Sequence, residues 1–437
     1  MVTLAIEKGG AAPAVGRGVT PVSEFTLRVI GAALQILATL VVVRALPPVT
    51  AGIYFKGFII AYGLAALLRG KYELFIFEFF VSERQSAFDV PARVLVRAMG
   101  IRVLARSALA CAVLLVVTTD LDVIEPHFRP YLQTYLPFVL AVPFATLGLF
   151  LSSTLRAVNR TLGSILVANY GMNLAIIAAA AVAPPGMALL ILSWAFFVGS
   201  LLMAAMGVLI TRYIFQAPSA AAKLQDGPFP WKEIYGSAAR NGLTGVALAV
   251  LQWGPLWVLA LISSELQIAE YAVLTRTAQV VDLLIPAVIL VPQSVRFQSR
   301  LCQAMRTQRG KLAVDLAVSM ATTSAYVIAI AILAPWLADL FGSPYSELTA
   351  LFALLLAMQW VNGAGRPAIR HLAADWNLGR IRRVLFISAT AAMLLTLVGV
   401  NDYGALAVAA AMLVGALIEN AQALGSALRD AGGATTP

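Results

Sequence analysis

Charge is scarce in this sequence. Of 437 residues only 12% are charged, 60% are hydrophobic, and the mean hydropathy is +0.86, whereas soluble domains carry about 25% charged residues. Such a chain cannot cover its surface with polar groups in water, which excludes a soluble multidomain protein. A stack of apolar helices in lipid has no such need. Cysteine is nearly absent as well: Cys111 sits in an apolar run and Cys302 in a basic stretch, so no disulfide framework is expected. The two histidines, His127 and His371, lie far apart without metal-ligand spacing. No phosphate-gripping G-x-x-x-x-G-K-[ST] loop occurs, because Gly70-Lys71 is followed by Tyr72 and Gly310-Lys311 by Leu312. That argues against ATP-driven pumping. No stretch between apolar runs is long enough for a soluble catalytic domain, and the longest, Phe80 to Arg102, reads as a basic amphipathic connector. Without a nucleophile or metal cluster in the spans, an enzyme is not expected, nor any cofactor.

What is abundant is apolar runs of spanning length. Windows of about 20 residues place spans near 25–45, 54–79, 103–119, 134–155, 163–183 and 187–211, then 240–262, 271–295, 313–337, 346–364, 382–399 and 404–424. The expectation is an all-α polytopic membrane protein with about 12 helices. The segment from Met1 to Val22 lacks the apolar region of a signal peptide, so no cleavage is expected and both termini share one side. All but six of the 31 Lys and Arg then fall in loops on that side; the exceptions are Arg44, Lys56 and Arg129 opposite, and Arg69, Lys71 and Arg276 within spans. The basic side is therefore cytoplasmic, and the opposite loops hold Asp120, Asp122, Glu125, Glu265, Glu270, Asp339, Glu347 and Asp402. The net charge of +10 is mostly a topology signal. It calls for no nucleic-acid partner, although the basic loops would touch anionic lipid headgroups.

The connection Phe215–Trp231, rich in Pro, Ala, Ser and Gly, divides six spans from six. The expected domains are therefore 1–214, a linker at 215–231, and 232–437. Each half opens with a helix, a short outer turn ending in Tyr54 or Tyr271, and a second helix carrying ionisable residues. With six helices per half the repeat is parallel, and its interface is the natural cavity. The alternative is that the two tyrosines are chance interface anchors.

The second span contains Arg69, Gly70, Lys71, Glu73 and Glu78. Ending at Leu68, it would rise only about 22 Å from Tyr54, short of a ~30 Å core, so the helix must continue through the charges. Each central charge costs about 2.5–3.5 kcal/mol, so these groups should face protein or water. At about 100° per residue Arg69 and Glu73 share one face and Lys71 and Glu78 the opposite one. Three alternatives remain open: ion pairs that only lock the helix into its bundle, a break at Gly70, or an early exit into the cytoplasm. The eighth span carries a polar stripe of Thr275, Arg276, Gln279, Asp282 and Pro286. Asp282 lies about 16 Å below Tyr271 and Arg276 about 7 Å. A structural stripe between packed helices is one possibility; a carboxylate lining a wet cavity is the other.

These residues, in this order, resemble the multidrug/oligosaccharidyl-lipid/polysaccharide (MOP) exporter superfamily, in particular its Wzx-like polysaccharide flippase branch. The likeness spans the chain as twelve helices in two six-helix lobes. Its local matches are Arg44-Ala45-Leu46-Pro47-Pro48 through Tyr54, Lys71-Tyr72-Glu73-Leu74, Leu155-Arg156-Ala157, and Ala269-Glu270-Tyr271 through Arg276. In the first of them Pro47 replaces the family's Gly. The resemblance implies a MATE-like fold and a bacterial inner-membrane flippase that moves undecaprenyl-diphosphate-linked oligosaccharide by alternating access for surface or extracellular polysaccharide. Polysaccharide polymerase and glycosyltransferases would then be partners. Arg69, Lys71 and Arg276 would hold the substrate phosphates, while Glu73, Gln279 and Asp282 would line the cavity or couple a proton or Na⁺. The alternative is a cation-coupled MATE-type exporter of small molecules. A scaffold that only recruits synthesis enzymes is a third possibility.

Overall fold

A computed structural model describes residues 21–81, 92–124, 129–158, 160–215, 231–279, 308–342, 349–374 and 378–433. All regular structure among them is helical: α1 (Pro21–Ala45), α2 (Pro48–Val81), α3 (Ala92–Ile124), α4 (Arg129–Ala157), α5 (Thr161–Asn169), α6 (Gly171–Val182), α7 (Ala188–Ile214), α8 (Trp231–Ile262), α9 (Glu265–Ala278), α10 (Gln308–Phe341), α11 (Thr349–Ala374), α12 (Leu378–Tyr403) and α13 (Ala405–Gly433), with one 3₁₀ turn at Pro185–Met187. Among the described residues, 10 segments are long and apolar enough to cross a membrane. The protein is an all-helical, multi-pass membrane protein. Of the twelve expected spans, the eighth is described only as far as Gln279. The tenth, α11, is long enough but carries Gln359, Asn362, Arg366 and Arg370 along its length.

The chain forms two compact units. One comprises Leu37–Trp253 and Ser264–Ala269; the other comprises Met1–Ile36, Gly254–Ser263 and Glu270–Pro437. In the first, α4 is the hub: 78% of its spanning segment is buried, against 28% for α3. Helices can approach α4 closely because small residues line the contacts, the usual solution where lipid supplies no hydrophobic drive between helices. A Cβ on Gly148 would stand 2.7 Å from the Met203 methyl on α7, and one on Gly207 3.0 Å from Leu151. Ala145, Leu149 and Leu155 of α4 pack with Ala65 of α2, Val167 of α5 and Met203 of α7.

Three elements depart from their sequence-based bounds. α2 starts at Pro48, whose fixed φ suits a first helical turn, six residues before Tyr54, and runs unbroken to Val81. It is not broken at Gly70. A neighbour favours glycine there, since a Cβ would lie 3.0 Å from the Gly245 carbonyl oxygen of α8, a tight contact against backbone. α3 begins at Ala92, so much of the expected connector 80–102 is helix. Leu95, Val96, Met99 and Val103 recur at helical spacing and are all buried, while Arg93 and Arg97 stay exposed. The fifth span is two helices meeting at Tyr170. Gly171 there lets α6 rest on α7, with a Cβ position 3.2 Å from the Met203 nitrogen.

In the second unit, Leu312 of α10, Ala368 of α11, Val384 of α12 and Ala423 and Ala427 of α13 make a core. Ser319 of α10 donates to the Gly363 carbonyl of α11 at 2.7 Å, and Trp360 donates to Ser324 at 2.9 Å. Tyr271 of α9, fully buried, donates to the Met412 sulfur of α13 at 3.0 Å.

Candidate functional site

The charges of the second span occupy the inner end of α2. Measured from Pro48, Arg69 lies about 32 Å along the axis, and the apolar segment Pro48–Gly70 ends one residue beyond it. Arg69 therefore sits near the end of the hydrocarbon-length stretch rather than at its middle. Its face is turned to α4. Arg69 Nη1 is 3.4 Å from Glu73 Oε2, donates to Ser153 Oγ at 3.2 Å and reaches the Leu149 carbonyl at 3.4 Å. Ser153 Oγ lies 2.8 Å from Glu73 Oε1 and 3.0 Å from the Leu149 carbonyl. A serine has one proton, so it can serve the carboxylate or the carbonyl but not both.

The group is closed off: side-chain exposure is 6% for Arg69 and 16% for Glu73. Two charges this far from water must neutralise each other, since removing either leaves an uncompensated buried ion. Arg69 Nε is nevertheless buried without a hydrogen-bond partner among the described residues. The site thus combines a neutralised guanidinium, one unused donor and a serine with a choice of acceptors.

One turn along, Tyr72 is buried at 2% exposure and meets α3. Arg106 Nη1 donates to the Tyr72 hydroxyl at 3.1 Å, and its guanidinium carbon stands 5.6 Å from the ring centroid, within cation–π range. Arg106 itself is exposed.

The other expected site residues are distributed as follows. Lys71 and Glu78 belong to the α2 backbone, but their side chains, and so their expected pairing, lie outside the described residues. Arg276 is half-buried on α9 in the second unit and has an interaction of its own. Gln279 ends that helix, its backbone N–H donating to the Thr275 carbonyl at 2.8 Å. Asp282 and Pro286 lie outside the described residues. The structure thus brings Arg69 and Glu73 together and adds Ser153, Tyr72 and Arg106, none of which was a candidate from sequence. The polar triplet Ser152-Ser153-Thr154 inside an apolar span was the one available signal for Ser153.

No family model matches the chain, and no curated protein matches it in sequence. Solved structures do. The lipid II flippase MurJ, in an inward closed conformation, superposes with TM-score 0.67 at 13% identity, covering 93% of this chain and 87% of that one. An inward-facing multidrug resistance MATE family transporter of the MOP superfamily gives TM-score 0.56 at 12% identity, over 94% of this chain and all (100%) of that one. A MOP superfamily transporter from Pyrococcus furiosus, described by the reverse polarity of its binding pocket, gives 0.55 at 12% identity over 95% and 96%. At such identities the common property is the fold. The chain has the fold of the MOP superfamily, and the neighbours that carry it are transporters.

Proposed function

We propose that this chain is a flippase that carries an undecaprenyl-diphosphate-linked oligosaccharide across the bacterial inner membrane, by alternating access, for surface or extracellular polysaccharide. The observation that carries the proposal is Arg69: a buried guanidinium with an unused Nε donor, placed where the apolar part of α2 ends. A diphosphate headgroup arriving in the cytoplasmic leaflet travels at that depth. The fold supports the proposal too, with the higher TM-score, 0.67 against 0.56, falling on the lipid flippase rather than on the multidrug transporter.

In the proposed cycle Arg69 and Lys71 from α2, and Arg276 from α9, give charge-assisted hydrogen bonds to the phosphates. Glu73 competes with the substrate for Arg69. A proton or Na⁺ taken up by Glu73 cancels that competition, and Ser153 then turns its proton to the Leu149 carbonyl. Gln279 and Asp282 take the coupling or cavity role in this proposal. Polysaccharide polymerase and glycosyltransferases would act on either side of the step.

The test is reconstitution of the full chain in vesicles with a fluorescent lipid-diphosphate oligosaccharide on one leaflet, followed by its protection from an impermeant quencher. Wild type should move the label, and Arg276→Ala should not, although it still inserts. Transport of an organic cation with no movement of the lipid would instead place the chain with the small-molecule exporters.

A further inference from the structure

The longest charge-free stretch of α3, from Ser107 to Thr119, rises only about 20 Å. A hydrocarbon core is roughly 30 Å thick. The spanning segment Ala92–Val116 accordingly includes Arg106, which lies towards the basic side of the membrane yet inside the apolar stretch. Arg106 is exposed, and among the described residues no carboxylate pairs with it. A cation at that depth needs an anion or a route to the interface.

Tyr72 makes this more than a long side chain reaching for water. The buried phenol accepts one hydrogen bond from Nη1 and sets its ring beside the guanidinium, which fixes the head of Arg106 in place. One of the five guanidinium N–H donors is then used, and among the described residues the other four meet no partner. A fixed, planar, partly used guanidinium fits the paired oxygens of a phosphate.

We infer that Arg106 and Tyr72 form a binding site for the phosphate of a membrane lipid on the surface of α3. Arg106 supplies the charge and the donors; Tyr72 is a positioning residue. The phosphate can come from a bulk phospholipid or from a lipid diphosphate. The site does not depend on the transport proposed above, because binding can be read without translocation.

The experiment is native mass spectrometry of the full chain in detergent, titrated separately with dioleoylphosphatidylglycerol, undecaprenyl diphosphate and phosphate-free dioleoylglycerol. Arg106→Ala should weaken binding of the phosphate lipids by about tenfold or more, as loss of a hydrogen bond to a charged group implies. Arg106→Lys should retain part of that affinity. Tyr72→Phe, which keeps the ring and removes the acceptor, should fall between Arg106→Ala and wild type. Dioleoylglycerol should be indifferent to all three. Equal losses for both phosphate lipids identify bulk phospholipid as the source, and a loss confined to undecaprenyl diphosphate identifies the carrier; either supports the site. Unchanged binding of both by Arg106→Ala, or by Arg106→Gln should the alanine variant fail to fold, overturns it.

Discussion

Glu73 and Ser153 make separable contributions to the charge they share. Replacing Glu73 with Gln leaves Arg69 buried beside a neutral amide, and breaking a buried pair on one side costs about 3–5 kcal/mol. Ser153→Ala removes only a hydroxyl that bridges the pair, a loss of about 1–2 kcal/mol. Thermal unfolding of the purified variants in detergent should rank Glu73→Gln as the more destabilised. If the two fall together, the ion pair is not what stabilises this end of α2. The pairing of Arg69 with Glu73 was legible because i, i+4 residues share a helix face. Ser153 was not, since helical periodicity says which face a residue occupies and nothing about which helix it meets.

Glycines mark where whole helices meet. Gly70 stands where the α8 backbone passes, its Cβ position 3.0 Å from one oxygen and 3.1 Å from the carbonyl carbon of Gly245. Backbone cannot swing aside as a side chain can, so Gly70→Leu should cost about 1–3 kcal/mol by overpacking. Gly425 on α13 has open space around the same position. There, Gly→Ala should be neutral or stabilising by up to roughly 1 kcal/mol, through helix propensity alone. A loss at Gly70 and none at Gly425, measured as shifts in melting temperature, is the expected outcome. A neutral Gly70→Leu would mean that α2 and α8 do not approach as described. From sequence Gly70 was a candidate helix break; close approach of a neighbour and a break call for the same residue, and only the position of α8 separates them. The early starts of α2 and α3 were missed for a related reason. Hydropathy measures how much of a helix lipid can hold, whereas a helix continues as far as its backbone bonds and buried face allow.

Orientation belongs to the molecule as a whole. The distribution of Lys and Arg puts the turn at Gly186 outside and the ends at Gly236 and Gly425 inside, and all three glycines have room for a side chain. In a background with Cys111 and Cys302 replaced by Ser, Gly186→Cys should react with an impermeant maleimide on intact cells. Gly236→Cys and Gly425→Cys should react only after permeabilisation. Labelling of Gly425→Cys on intact cells would overturn the even number of crossings.

Composition and the spacing of apolar runs were enough to establish that the chain lives in a membrane, that it is helical, and roughly where ten of the crossings fall. Lipid imposes those properties residue by residue: every spanning backbone must satisfy its own hydrogen bonds, and every charge in the core is costly whatever lies beside it. What the tertiary structure decided is which polar groups relieve one another. Ser153 beside Arg69 and Glu73, Tyr72 under Arg106, and the α8 backbone against Gly70 are encounters between helices far apart in the chain. They arise because α2 packs along α4 while also touching α3 at Tyr72 and α8 at Gly70, a packing arrangement for which no local pattern of residues is a sufficient code.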